Sequence, residues 1–185
     1  MSKYVAMLRG IGPGNPNMTS AAFKSFFEDL GFTGVQTVLS SGNIIFESPV
    51  NDPDILAERI EKALPQKLGY ERSVVIRSQM ELQNLIDQDP FKGIEQDHNK
   101  GKYLLITFFR NTQSIPFDLP YTPEGKPYTL LGKIDGAVYG SVDLSSLSGA
   151  KTPDYMSWLE KQFGKEITGR TPKTIRLILS KMYKT

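Results

Sequence analysis

Apolar positions are spaced along the chain in two distinct periods. Residues 3–8, KYVAML, carry apolar side chains on both faces and predict a strand, with Tyr4, Ala6 and Leu8 on one side and Val5 and Met7 on the other. Phe23, Phe26, Phe27 and Leu30 then recur at helical spacing, with Lys24, Ser25, Glu28 and Asp29 opposite. Thr19 or Ser20 caps this predicted helix and Gly31 stops it. VQTVL (35–39) and IIFES (44–48) predict two strands joined through SSGN as a hairpin. Ile55, Leu56, Arg59, Ile60 and Ala63 mark the stripe of a second helix, with Pro53 in its first turn. RSVVIR (72–77) predicts a fourth strand, and QMELQNLIDQD (79–89) a short third helix. The order strand, helix, strand, strand, helix, strand is the ferredoxin-like or split βαβ pattern. Because its strands are apolar on both faces, one face needs the helices as cover. The other needs a second subdomain or a second chain.

The second half reads less regularly. DPFKGIEQDHNKG (89–101) is a polar linker, and KYLLITFF (102–109) is again a strand. Residues 111–127 are rich in proline and polar residues and predict a loop. YTLLGK and GAVYGSV predict a hairpin turning at Asp135-Gly136. Tyr155, Trp158, Leu159 and Phe163 mark a helix, and Ile175, Ile178, Leu179 and Met182 mark a terminal one that Thr171 caps and Pro172 opens. The half resembles a faded echo of the first, with the proline-rich loop in the place of the first helix. The expected architecture is α+β: a ferredoxin-like βαββαβ subdomain, residues 1–92, packed against a smaller α+β subdomain, residues 93–185.

Composition narrows the chemistry. The chain has no cysteine, which excludes disulfides, zinc–thiolate sites and thiol catalysis. Its start, MSKYVAMLRG, is too short in apolar residues for a secretory signal, and no apolar run reaches the roughly 20 residues of a membrane span. The expected location is cytoplasmic, with no membrane partner. The net charge of +2 hides an asymmetry. Residues 1–100 are net −3 and residues 101–185 net +5, with six basic residues and one acidic from Lys165 onward.

YVAMLRGIGPGNPNM, LGFTGVQTVLSSGNIIFES, DPFKG and TGRTPKTIRLI together resemble the bacterial DUF1697 family. LRGI followed about 30 residues later by SGN is its most specific signature. The resemblance runs along almost the whole chain and implies two α+β subdomains of ferredoxin-like character; it implies no activity. Many members carry Arg-Asn-Trp near the C-terminus, where this chain has Arg170-Thr171-Pro172. Members often carry asparagine after LRGI, where this chain has Gly12.

The predicted topology brings separate loops together. In a βαββαβ unit the first strand ends on the sheet edge where the strand 2–3 hairpin turns, and the fourth strand begins there. Arg9, Gly10, Gly12, Gly14, Asn15 and Asn17 would then lie near Ser40, Ser41, Gly42 and Asn43, with Arg72 alongside. A guanidinium, glycine backbone N–H groups and short polar side chains are the parts of an anion site, such as one for phosphate. The same stretch also reads as a plain turn, since GIGPG is neither G-x-G-x-x-G nor a Walker loop and its prolines remove donors. The expected function is a non-enzymatic module binding a phosphate-bearing or other anionic small molecule at this edge.

Other chemistry weighs against this. An enzyme in a groove between subdomains would use Arg9 and Arg170 as electrostatic stabilisers, but no nucleophile or base is evident. Lys173, Arg176, Lys181 and Lys184 give the terminal helix a basic outer face that could meet nucleic-acid phosphates. The same cations suit a solvated helix C-terminus. No RNP1 pattern is present. His98 stands alone in a charged loop, and Asp52/Asp54 and Asp87/Asp89 read as helix-end charge, so no metal site is expected. Ser148 and Lys151 match S-x-x-K at the frequency of chance. No cofactor is indicated, and oligomerisation stays open.

Overall fold

A computed structural model describes residues 1–11, 18–40, 42–69, 71, 73–94, 101–111, 113–134, 136–145 and 154–184. In chain order its elements are β1 (Ser2–Leu8), α1 (Ser20–Asp29), β2 (Thr33–Thr37), β3 (Asn43–Ser48), α2 (Pro53–Leu68), β4 (Val74–Ser78), α3 (Gln79–Asp87), β5 (Lys102–Phe109), β6 (Tyr128–Ile134), β7 (Ala137–Asp143), α4 (Tyr155–Phe163), β8 (Ile167–Arg170) and α5 (Pro172–Lys184). The strands form two four-stranded antiparallel sheets, ordered β2-β3-β1-β4 and β6-β7-β5-β8. The fold is α+β.

The chain divides into two compact units, Met1–Asn84 with Ile175–Thr185, and Leu85–Thr174. This differs from a cut at residue 92, above all because most of α5 goes with the first unit. The reason is visible in two long lysines. Lys3 Nζ donates to the Met182 carbonyl at 2.8 Å, and Lys181 Nζ donates to the Thr37 carbonyl at 3.2 Å. Ile175, Ile178, Leu179 and Met182 are all buried, as the stripe requires.

In the first unit the βαββαβ order is the expected one. Thr19 caps α1 by accepting from the Ala22 N–H, and Asp52 caps α2 by accepting from Asp54 and Ile55. Even-numbered β1 residues Tyr4, Ala6 and Leu8 join Phe27, Phe46 and Ile60 in one apolar cluster beneath the helices. Each leucine, isoleucine or phenylalanine among them stabilises by about 1.5–3 kcal/mol on removal from water. The opposite face is covered too, since Val5, Met7, Ile45 and Val75 are at most 1% exposed. The α2 stripe needs one correction. Leu56, Ile60, Leu64 and Leu68 form the buried ridge, whereas Ile55 is 54% exposed. Arg59, expected in the stripe, instead lies 5.0 Å over the Phe32 ring and donates to the Leu30 carbonyl.

In the second unit the sequence reading lacked β8, which pairs with β5 from Phe109↔Ile167 to Ile106↔Arg170. With β8 in place, the strand order repeats that of the first unit: hairpin, central strand, returning strand. The segment between β5 and β6 replaces a helix by packing side chains directly on the core. Ile115, Phe117 and Leu119 lie against that core, and Phe117 stacks on Tyr121 at 4.2 Å. Tyr121 pairs with Leu130 through two backbone hydrogen bonds of 2.8 Å, which ties the segment to β6.

Candidate functional site

Antiparallel register fixes which ends of the first sheet meet. Leu8 pairs with Val74, Met7 with Asn43, and Thr37 with Ile44. The end of β1, the β2–β3 hairpin and the start of β4 therefore share one rim. The Leu8 N–H donates to the Gly42 carbonyl at 2.8 Å, so Arg9 follows directly on a residue bonded to the hairpin. Gly10 and Gly42 both have positive φ, +69° each, which turns the chain at these two points without the cost a side chain would add.

The rim is more apolar than its composition suggests. Ile11 and Met18 pack against the core, and a Cβ on Gly42 would sit 2.6 Å from Ile11 Cγ1. Asn43 is 1% exposed, and its side-chain Nδ2 donates to the Val38 carbonyl at 3.0 Å. The Val38 N–H donates back to the Asn43 carbonyl at 2.8 Å, closing the hairpin from both sides. Leu39 holds φ +59° and is 52% exposed. A leucine in that region costs of order 1–3 kcal/mol. Between the hairpin and the start of α1, a hollow of about 10 Å³ is lined by Met18, Ser20, Leu39, Ser40, Gly42 and Asn43, among others. That is room for about one water. Ser40 is exposed and Arg9 half-buried; Arg9 does not line the hollow but has contacts of its own in the chain.

The second sheet builds the same rim. The Phe109 N–H donates to the Gly136 carbonyl at 2.9 Å, and Gly136 has φ +71°. Arg110 follows Phe109 as Arg9 follows Leu8. Its N–H donates to the Glu166 carbonyl at 3.0 Å, and its Nη1 lies 3.9 Å from Glu166 Oε1. Asn111 Nδ2 donates to the other carboxylate oxygen at 3.4 Å. By register, Leu8↔Val74 and Phe109↔Ile167 are equivalent pairs, so Ser73 stands where the second unit has Glu166. Sequence reasoning overlooked this second rim. Its signal was an arginine directly after an apolar strand in each half, MLRG and FFRN.

The remaining expected residues scatter. Arg170 ends β8, with Nη1 donating to Thr168 Oγ1 and the Gly169 carbonyl, both at 2.8 Å. Lys173, Arg176 and Lys184 are exposed on α5, whereas Lys181 is half-buried against Thr37. Gly12, Gly14, Asn15, Asn17, Ser41 and Arg72 lie outside the described residues, as do His98, Asp135, Ser148 and Lys151. Arg77 on β4 is a cation that the sequence reading passed over. It is 7% exposed, 3.9 Å from Glu81, and burial lowers its pKa against the pull of Glu81 and Asp54. Among the described residues, no group of three or more His, Asp or Glu could hold a metal ion. No helix among them is long and apolar enough to cross a membrane.

Known proteins resemble the chain at two levels. The conserved bacterial protein SP0830 of Streptococcus pneumoniae superimposes with a TM-score of 0.71 at 22% identity, over 100% of this chain and 99% of that one. At that identity the likeness shows the fold. No curated protein matches. The sequence profile of the family described as "Protein of unknown function (DUF1697)" matches residues 1–117, and the chain belongs to that family.

Proposed function

We propose that the rim joining Arg9 to the β2–β3 hairpin binds an anionic ligand, phosphate-bearing or otherwise, and that the protein acts as a binding module there. The observation that carries this reading is the 2.8 Å bond from the Leu8 N–H to the Gly42 carbonyl. It brings the backbone of Arg9 one residue from a hairpin that carries an exposed serine. A charge-assisted hydrogen bond from the guanidinium contributes about 1.5–3 kcal/mol. The hollow of about 10 Å³ beside the hairpin holds no more than about one water, so the ligand would lie on the rim's surface and not inside it.

A thermal-shift panel of orthophosphate, nucleotides, sugar phosphates and carboxylates tests this on the full chain. Binding to the folded state raises the melting temperature in proportion to RT ln(1 + [L]/Kd). A rise with at least one anion, lost in Arg9→Ala while that variant still folds, supports the proposal. A panel without any rise, or a rise that Arg9→Ala leaves unchanged, overturns it.

A further inference from the structure

We infer that the second rim is a separate site for a small neutral ring bearing an amide-like edge, such as a carboxamide or a lactam. This does not depend on the reading of the first rim. Between the β6–β7 hairpin and the start of the helix-replacing segment lies a hollow of about 250 Å³, against about 10 Å³ at the first rim. Two differences open it. Four residues separate Val38 from Asn43 in the first hairpin and two separate Ile134 from Ala137 in the second, so Leu39 has no counterpart there. At the first rim Ser20 and Phe23 of α1 line the hollow, whereas among the described residues no helix lies between β5 and β6.

The lining sets the ligand class. Phe109 and Ala137 are buried and Ile115 and Ile134 half-buried, and these four give the hollow an apolar wall. Gln113 is half-buried beside them, and among the described residues its amide has no hydrogen-bond partner in the chain. A primary amide offers a donor and an acceptor side by side, the complement of another amide edge. Gln88 adds a second amide, which keeps a contact of its own in the chain. Lys133, exposed, is the only charge among the described lining residues, and the exposed Asp87 and Asp89 flank Gln88 in sequence. An anionic head is opposed by Asp87 and Asp89, a cationic one by Lys133, and a neutral one by neither. An apolar cavity of about 150 Å³ takes benzene. About 250 Å³ therefore takes one ring with a short polar head.

A ¹H–¹⁵N NMR titration of the full chain with benzamide and with benzoate, which share one ring and differ in the charge of the head, tests the inference. Benzamide should shift the Gln113, Ile115, Ile134 and Ala137 amides saturably and bind more tightly than benzoate. Gln113→Leu keeps the size of the side chain without its amide and should weaken benzamide binding by about fivefold, the equivalent of one neutral hydrogen bond. Arg9→Ala should leave benzamide binding unchanged, which separates this site from the first rim. Benzamide without saturable shifts at these four amides overturns the site. Benzoate binding as tightly or more tightly overturns the neutral class. Unchanged affinity in Gln113→Leu overturns the role of its amide, and a loss in Arg9→Ala overturns the placement at the second rim. Should Gln113→Leu fail to fold, the position of the shifts and the comparison of the two probes on the unaltered chain still decide.

Discussion

Gly42 lies under Ile11 so closely that even one methyl group on its Cα would stand 2.6 Å from Ile11 Cγ1 and 3.1 Å from Leu8 Cβ. Its φ of +69° adds a backbone cost for any other residue. Gly42→Ala should therefore lose about 2–4 kcal/mol, the left-handed cost plus overpacking. Gly69, at φ +63°, has nothing within 4 Å of a built Cβ. Gly69→Ala should lose only about 1–2 kcal/mol. Urea unfolding of the two variants beside the unaltered chain checks the difference; equal losses would contradict the packing of Ile11 on the hairpin.

That packing was partly legible in advance. The spacing of strands and helices in the first half predicts which loops share a rim, and the register from Leu8 to Val74 bears out that geometry. The sequence could not show how Ile11 and Met18 fill the rim, because loop residues carry no periodicity. β8 was hidden for a different reason. Ile167–Arg170 is four residues long with Gly169 inside it, so it has no alternation to read. It becomes a strand by pairing with β5. In α2, Ile55 and Leu56 are both apolar and only one can face the sheet. The ridge through Leu56, Ile60, Leu64 and Leu68 excludes Ile55. The likeness of the two rims needed both sheets in view, since outside the strand-end arginines the halves share no clear repeat.

Asn43 was expected to orient a ligand, yet its amide is engaged with the Val38 carbonyl and is buried. Asn43→Ala should lose about 1–3 kcal/mol, because it leaves that carbonyl without its side-chain donor in a buried place. Chemical denaturation measures this. A neutral substitution would mean that the hairpin closes through its backbone alone.

Alkaline pH should destabilise the second unit in a defined window. Burial pushes the Tyr155 phenol from its ordinary 10.0 up to about 12, with the neighbouring Thr107 hydroxyl offsetting part of the effect. Between pH 10 and 12 the unfolded chain gives up this proton and the folded chain keeps it. Stability is thus intact below about pH 10 and falls by about 2–3 kcal/mol as pH rises toward 12. Burial and the bond to Asp154 raise Tyr128 as well, which adds to the same slope. Tyr155→Phe should make this slope shallower, leaving the part that Tyr128 contributes. An unchanged slope would contradict the assignment.

Phe117 holds the helix-replacing segment on the core by stacking on Tyr121, with the Trp158 ring 5.8 Å away. Trp158 is the single tryptophan of the chain. Phe117→Ala should expose it and shift its fluorescence to the red, with a loss of roughly 3–5 kcal/mol at full burial and less for this partly exposed ring. Emission that stays in place would show that the segment is held by Tyr121 and Leu130 instead.

The most direct measurement is a ¹H–¹⁵N NMR titration of the full chain with N-acetylglycine and orthophosphate at constant ionic strength. Saturable shifts of the Arg9, Gly10, Ser40 and Gly42 amides, abolished in Arg9→Ala, are the predicted result. Shifts that never saturate, that fall elsewhere in the chain, or that persist without the guanidinium would contradict the account.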